Sequence, residues 1–240
     1  MAVAIALSVM GSFGGLILAS LLLLLRATVR HTLVPSLLSY AVGTLLGVAL
    51  LALLPEALDV LEPSLVLGTL LAGILGFFML EKLVIWHHCH DDECDAHRTS
   101  ATLILVGGAV HNFADGCIIG AAVLSSVPLG VSTAMAVAAH QVPQEVGDFA
   151  VLLSAGHTRS RALALNALSA SAGVLGAVVI YAAAGWVPRA LPYVLAFAAG
   201  NFLYVAMADL IPGLHRGTVT VSATRQVVLI GVGVGTVMML

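Results

Sequence analysis

Two short segments near the middle of the chain carry side chains that could bind a metal ion. His111 and Asp115 are four residues apart, and His140 begins a second polar segment that also contains Gln144 and Glu145. On a helix, residues four apart share a face, so His111 would stack on Asp115 and His140 on Gln144. Imidazole nitrogens and carboxylate oxygens bind Zn²⁺ and also suit Fe²⁺, Mn²⁺ and Cd²⁺. We therefore expect a divalent metal ion where the two faces meet.

Neutral amides accompany these groups. Asn112, Gln141 and Gln144 offer only uncharged oxygens, and a site that mixes weak with strong ligands exchanges its ion readily. Pro143 removes a backbone hydrogen bond beside the site and could free a carbonyl. The alternative for Asn112, Gln141 and Asp148 is ordinary hydrogen bonding between helices.

The elements that must position these residues are membrane helices. Of the 240 residues, 60% are hydrophobic and 9% charged, against about a quarter charged in soluble domains. Eight apolar runs are each long enough to cross a hydrocarbon core about 30 Å thick, and these runs lie near residues 2–25, 34–54, 64–86, 100–123, 129–154, 161–184, 189–212 and 221–240. Lipid requires backbone polar groups to be satisfied internally, and the runs are too long for barrel strands. We predict an all-α integral membrane protein, a single domain over residues 1–240 with eight transmembrane helices.

Basic residues give this bundle an orientation. If both termini lie outside, eight of the nine Lys and Arg residues fall on the cytoplasmic side, as the positive-inside rule requires. Arg189 is the exception, and the acidic residues Glu56, Asp59 and Glu62 lie outside. The small size favours a bacterial inner membrane.

The second and seventh runs align at an offset of 157, which pairs Gly43 with Gly200 and Pro55 with Pro212. The identities are few, and chance recurrence of small residues explains them as well. A true repeat would relate helices of opposite direction in a 3+2+3 inverted arrangement, as in many secondary transporters.

A polar loop predicted at about residues 86–99 is rich in potential ligands. Its density favours a flexible metal acceptor or sensor on the cytoplasmic side, although its spacing matches no closed structural zinc motif. A solvated polar loop is the alternative. The candidate ligands are His87, His88, Cys89, His90, Asp91 and Cys94.

The motifs resemble a known family. His111-Asn112-Phe113-x-Asp115-Gly116, followed by His140-x-x-Pro143-x-Glu145-x-Gly147-Asp148, is similar to the ZIP (Zrt-, Irt-like) metal transporters. The resemblance implies transport of zinc, or of iron, manganese or cadmium, towards the cytoplasm. It also implies metal ligation by His111, Asn112, Asp115, His140, Gln141 and Gln144.

The sequence departs from the family pattern at Gln141 and Gln144, where one subfamily has Glu and His. We therefore expect one principal metal ion, carried as substrate and not as a cofactor. Two other functions stay open: an intramembrane zinc hydrolase with Glu145 as base, and a metal sensor without transport. We expect the lipid bilayer and the metal as partners and no nucleic acid, and the sequence leaves a homodimer open.

Overall fold

The computed structural model describes residues 1–86, 96–183, 185, 188–216 and 222–239. All regular elements within these ranges are helical, and eight spans follow one another. Six of them are single helices: α1 (Ala2–Leu24), α3 (Pro63–Trp86), α4 (Ala96–Ser125), α5 (Val127–Ser154), α6 (Arg159–Ala183) and α8 (Ala223–Met238). Two contain a π-helical segment: α2 (Ala27–Val48, π Ala49–Leu53, Leu54–Leu58) and α7 (Leu191–Tyr204, π Val205–Leu210, Ile211–Arg216). A short 3₁₀ turn, Pro188–Ala190, precedes α7.

The predicted all-α bundle of eight helices is confirmed. Within the described residues, five helices are long and apolar enough to cross a membrane, and α3 and α8 contain shorter apolar stretches. Helix α5 is not in either group, because its polar residues lower its hydropathy. Since α4 begins at Ala96, residues 96–99 of the predicted loop are helical instead.

Glycines let three pairs of helices cross at backbone contact. A Cβ placed on Gly116 of α4 would lie 1.7 Å from the carbonyl oxygen of Gly173 in α6. One placed on Gly176 would lie 2.1 Å from the oxygen of Phe113. Close approach of this kind is how small residues stabilise helix pairs in membranes. It fixes α4, which carries His111 and Asp115, against α6.

The other two crossings repeat one geometry, with an offset of 157 residues between α2 and α7 and of 160 residues between α3 and α8. A Cβ on Gly43 of α2 would lie 2.1 Å from the oxygen of Ile230 in α8. A Cβ on Gly200 of α7 would lie 2.2 Å from the oxygen of Leu70 in α3. Gly43 and Gly200 are 157 residues apart, and Leu70 and Ile230 are 160 apart. The α2–α8 and α7–α3 contacts are therefore equivalent.

The two π segments are also related by the offset of 157 residues. Adding 157 to Ala49–Leu53 gives residues 206–210, which lie within Val205–Leu210. Pro55 and Pro212 follow the two segments at matching positions, and a proline has no N–H to bond the carbonyl four residues earlier. The backbone hydrogen bonds of the helix can shift from the fourth to the fifth preceding residue at that point, and this shift forms a π turn. Successive spans alternate in direction, so the repeated units run in opposite directions.

Candidate metal centre

Three side chains from α4 and α5 converge in the interior of the bundle. His111 Nε2 lies 3.2 Å from His140 Nε2 and 3.4 Å from Asp115 Oδ2. His140 Nε2 lies 3.2 Å from the same carboxylate oxygen. Asp115 and His140 are buried, and His111 is partly buried. Among the described residues, this is the one group of three or more His, Cys, Asp and Glu side chains whose ligand atoms come this close together.

The separations suit a bound metal ion. Ligands at about 2.0–2.1 Å from a tetrahedral Zn²⁺ are about 3.3 Å from one another, the edge of the tetrahedron. The three observed distances are 3.2, 3.2 and 3.4 Å. Three ligands of this kind occupy three corners and leave the fourth for water, another ligand or substrate exchange.

A backbone carbonyl sets the tautomer of His140. Its Nδ1 lies 3.1 Å from the Ala136 oxygen one turn earlier, and a carbonyl oxygen can only accept. The Nδ1 atom therefore carries a proton, and in the neutral imidazole the Nε2 lone pair points at Asp115 and His111. Metal-binding histidines are commonly oriented by such a contact.

The turn between α4 and α5 brings the ligands together. Helix α4 ends at Ser125 and α5 begins at Val127, with only Ser126 between them. The Ser126 hydroxyl accepts a hydrogen bond from the Leu129 N–H at 3.2 Å and caps α5. So short a connection makes the two helices antiparallel neighbours, with the triad of His111, Asp115 and His140 between them.

Asn112 and Gln141 sit in a buried amide network beside the triad. The Gln141 nitrogen finds acceptors at the backbone oxygens of Gly11 and Ser12, at 3.2 and 2.9 Å, when its amide is turned. The Gln141 oxygen then faces the Asn112 amide, 2.5 Å away, and Asn112 faces the Ser169 hydroxyl at 3.1 Å. The Asn112 amide then turns as well, so that its nitrogen donates to the Gln141 oxygen and its oxygen accepts from the Ser169 hydroxyl. The network links α1, α4, α5 and α6, so both amides have partners apart from any metal.

Gln144 and Glu145 occupy different surroundings. Gln144 is half-buried and lines a cavity of about 600 Å³ together with His111. Glu145 is 4% exposed, and its Oε2 has no hydrogen-bond partner among the described residues. Because Glu145 is five positions after His140, its side chain projects from α5 in a direction about 140° away from that of His140.

The cavity extends from the triad towards one end of the bundle. It is lined by the first halves of α2 and α4 and the second halves of α3, α5 and α7, including Leu38, Phe77, Asp148 and Tyr204. These halves share the end at which α3 connects to α4. On the other side of the triad the residues are apolar and buried, including Ile119, Val137 and Phe202. The Phe202 ring packs edge-on against His140 at 6.2 Å between centroids.

The second predicted group of ligands lies outside the described residues. His87, His88, Cys89, His90, Asp91 and Cys94 all fall within residues 87–95. Their role as a metal acceptor stays a prediction.

Comparison with known proteins places the chain in a family. The family model described as "ZIP Zinc transporter" matches residues 85–240. The chain belongs to the ZIP zinc transporter family. It is 34% identical over 213 residues to zinc transporter ZIP13 of Pongo abelii and covers 64% of that protein. It is 30% identical over 233 residues to zinc transporter YKE4 of Saccharomyces cerevisiae and covers 67% of it. Zinc transporter ZIP4 of Homo sapiens is 31% identical over 268 residues, and the chain spans 41% of its length.

These relatives align with 82%, 84% and 81% of the ZIP chain respectively. The resemblance identified from the motifs on α4 and α5 is therefore confirmed. All three relatives are named as transporters and none as an enzyme.

Sequence reasoning missed the supporting residues of the site. The Ala136 carbonyl has no side-chain signature, and Ser169 is one serine among several in α6. Ser12 and Gly11 are 100 residues or more from their partner Gln141 in the sequence. Only the packing of α1 and α6 against α4 and α5 reveals them.

Proposed function

We propose that this ZIP chain transports a divalent transition metal, zinc first, through a site on α4 and α5. The observation that carries the proposal is the triad of His111, Asp115 and His140, whose ligand atoms lie 3.2–3.4 Å apart. The names of its relatives support zinc as the metal. Iron, manganese and cadmium bind similar ligands and are the expected competitors.

The cavity supplies the route on one side. It lies between His111 and the end of the bundle that carries the α3–α4 connection, and the distribution of basic residues supports assigning that end to the cytoplasm. In this conformation the cavity therefore lies on the inward side of the triad, and the apolar layer around Ile119 and Phe202 lies on the outward side. Zinc leaves along the cavity towards residues 87–95, which act as its acceptor.

A hydrolase fits the geometry less well. Metal-dependent hydrolysis needs a base that reaches the metal-bound water, and Glu145 projects about 140° round α5 from His140. Its Oε2 is buried and has no partner in the described part of the chain. A sensor would bind metal at the triad without flux.

The location and assembly of the protein form part of the proposal. We place the chain in a membrane with both termini outside, which its charge distribution supports; a bacterial inner membrane stays a prediction. A homodimer is tested by measuring the molecular mass of the protein in nanodiscs and comparing it with the mass of one chain.

Zinc flux into proteoliposomes tests the proposal. The purified protein is compared with His111→Ala, His140→Ala and His215→Ala, the last an exposed histidine outside the site. We expect saturable flux in the parent and in His215→Ala, and loss of flux in the two triad variants. Stoichiometric zinc binding without flux in the parent would favour the sensor.

A further inference from the structure

Asp148 has no part in the triad, yet it lies on the cavity that leads away from the triad. It is eight residues beyond His140, so the two lie on one face of α5 about 12 Å apart along the helix. Gln144 lies midway between them and lines the same cavity. In the part of the chain that the structure describes, Asp148 supplies the one carboxylate of the cavity lining.

The position of Asp148 is consistent with cation binding. Its Oδ2 would be 3.8 Å from a Cβ on Gly108, so the carboxylate lies against α4 one turn before His111. The described residues give it neither a salt bridge nor a hydrogen bond. Glu145, one turn away, is a buried carboxylate whose Oε2 has no hydrogen-bond partner among the described residues. Two acids for which the described residues supply no counter-charge, inside a membrane bundle, indicate a place where a cation passes.

We propose that Asp148 is a second, transient binding position for the divalent cation on its way out of the triad. The inference rests on the proposed function. A carboxylate oxygen of Asp148 and the amide oxygen of Gln144 receive the ion as it leaves His111. The remaining positions around the ion are filled by water from the cavity. Because carboxylate and amide oxygens bind zinc more weakly than imidazoles do, the ion moves on towards the open end.

The charge of Asp148 therefore sets the rate of release and has only a small effect on affinity at the triad. A unit charge about 4 Å from a cation changes its occupancy at least tenfold, even when the surroundings screen as strongly as a protein surface. Removing that charge lowers the maximum flux, whereas the same Coulomb interaction over about 12 Å is a third as large, so a tenfold effect at Asp148 corresponds to about twofold in triad affinity.

The test compares Asp148→Asn with Asp148→Glu and with Glu62→Gln. Glu62 is an exposed acid at the start of α3, and its change removes one charge in the same way. Zinc flux into proteoliposomes gives the maximum rate, and calorimetric zinc titration in detergent gives stoichiometry and affinity at the triad. We expect Asp148→Asn to lose flux about tenfold or more with zinc binding intact, Asp148→Glu to recover flux, and Glu62→Gln to match the parent.

Three results would overturn the inference. Flux in Asp148→Asn equal to that of the parent would remove the role of the charge. Loss of zinc binding together with flux would show that Asp148 only supports the fold. Failure of Asp148→Glu to recover any flux would show that the carboxylate is not what matters. A parent protein that carries no zinc would instead overturn the proposed function, and this inference with it.

Discussion

The contact between α4 and α6 gives the sharpest prediction, through Gly116→Ala. The new Cβ would lie 1.7 Å from the Gly173 oxygen, 2.6 Å from its carbonyl carbon and 2.8 Å from its Cα. Ordinary van der Waals contact begins near 3.4 Å, so the two backbones have to separate locally by about 1.7 Å (3.4 minus 1.7). Neither partner is a flexible side chain that could rotate away.

Overpacking of this kind costs about 1–3 kcal/mol, and the backbone partners place Gly116→Ala at the upper end. The change also displaces His111 and Asp115, which share α4, relative to His140 on α5. We expect the Tm in detergent to fall by roughly 5–10 °C and zinc affinity to fall with it.

Gly235→Ala is the matched control. A Cβ on Gly235 of α8 meets nothing within 4 Å, and alanine is favoured over glycine in a helix by up to about 1 kcal/mol. The control should therefore be as stable as the parent or slightly more so. If Gly116→Ala proves as stable as Gly235→Ala and binds zinc as tightly as the parent, the close crossing of α4 and α6 does not position the site.

Three further predictions concern the surroundings of the triad. Gln141→Leu leaves the Asn112 amide without its partner, so the stability measured in a thermal melt should fall by about 1–2 kcal/mol. The zinc stoichiometry measured by calorimetry should stay the same. Loss of zinc binding would show that Gln141 is a metal ligand. Ser126→Ala removes the cap of α5 and should cost about 1 kcal/mol, and a Tm equal to that of the parent would mean that Pro128 and packing define the turn alone. Histidines ordinarily exchange protons near neutral pH and bind either a proton or a metal ion, so zinc flux should fall as the pH is lowered from about 7.5 to about 5.5; constant flux over that range would argue against imidazole ligands.

The fold could be predicted largely because membrane helices depend on local composition. A run of apolar residues long enough to cross lipid has few alternatives to a helix, so most starts and ends found in the sequence lie within four residues of those in the structure. Helix α2 is the exception, because it begins at Ala27, seven residues before the predicted start. The loop at 86–99 was predicted from polar residues alone, and polar residues also form helix ends that project beyond the lipid, as 96–99 do. The π segments could not be predicted from composition, because they depend on which carbonyl loses its partner near Pro55 and Pro212.

The triad could be predicted from spacing because His111 and Asp115 share a helix turn. That His140 meets them depends on the single-residue connection at Ser126 and could not be read from spacing within either helix. The amides show the limit of reasoning from residue type. Gln141 and Asn112 stay predicted metal ligands, and the structure adds hydrogen-bond partners for them in α1, in α6 and in each other. No local pattern distinguishes an amide that binds metal from one that joins helices.

The low hydropathy of α5 has a consequence for how the protein is made. The side chains that would bind the ion are the same ones that make α5 a poor membrane segment, and the insertion machinery accepts polar segments reluctantly. We therefore expect helix α5 to enter the bilayer together with α4 and α1, because polar groups of those two helices contact the polar side chains of α5. Replacing His140 by leucine would ease that step, so a variant that lacks a triad ligand is expected to accumulate to higher levels than the parent. Yield in the membrane is then a poor guide to activity, and every variant of this helix needs its flux normalised to the amount of inserted protein.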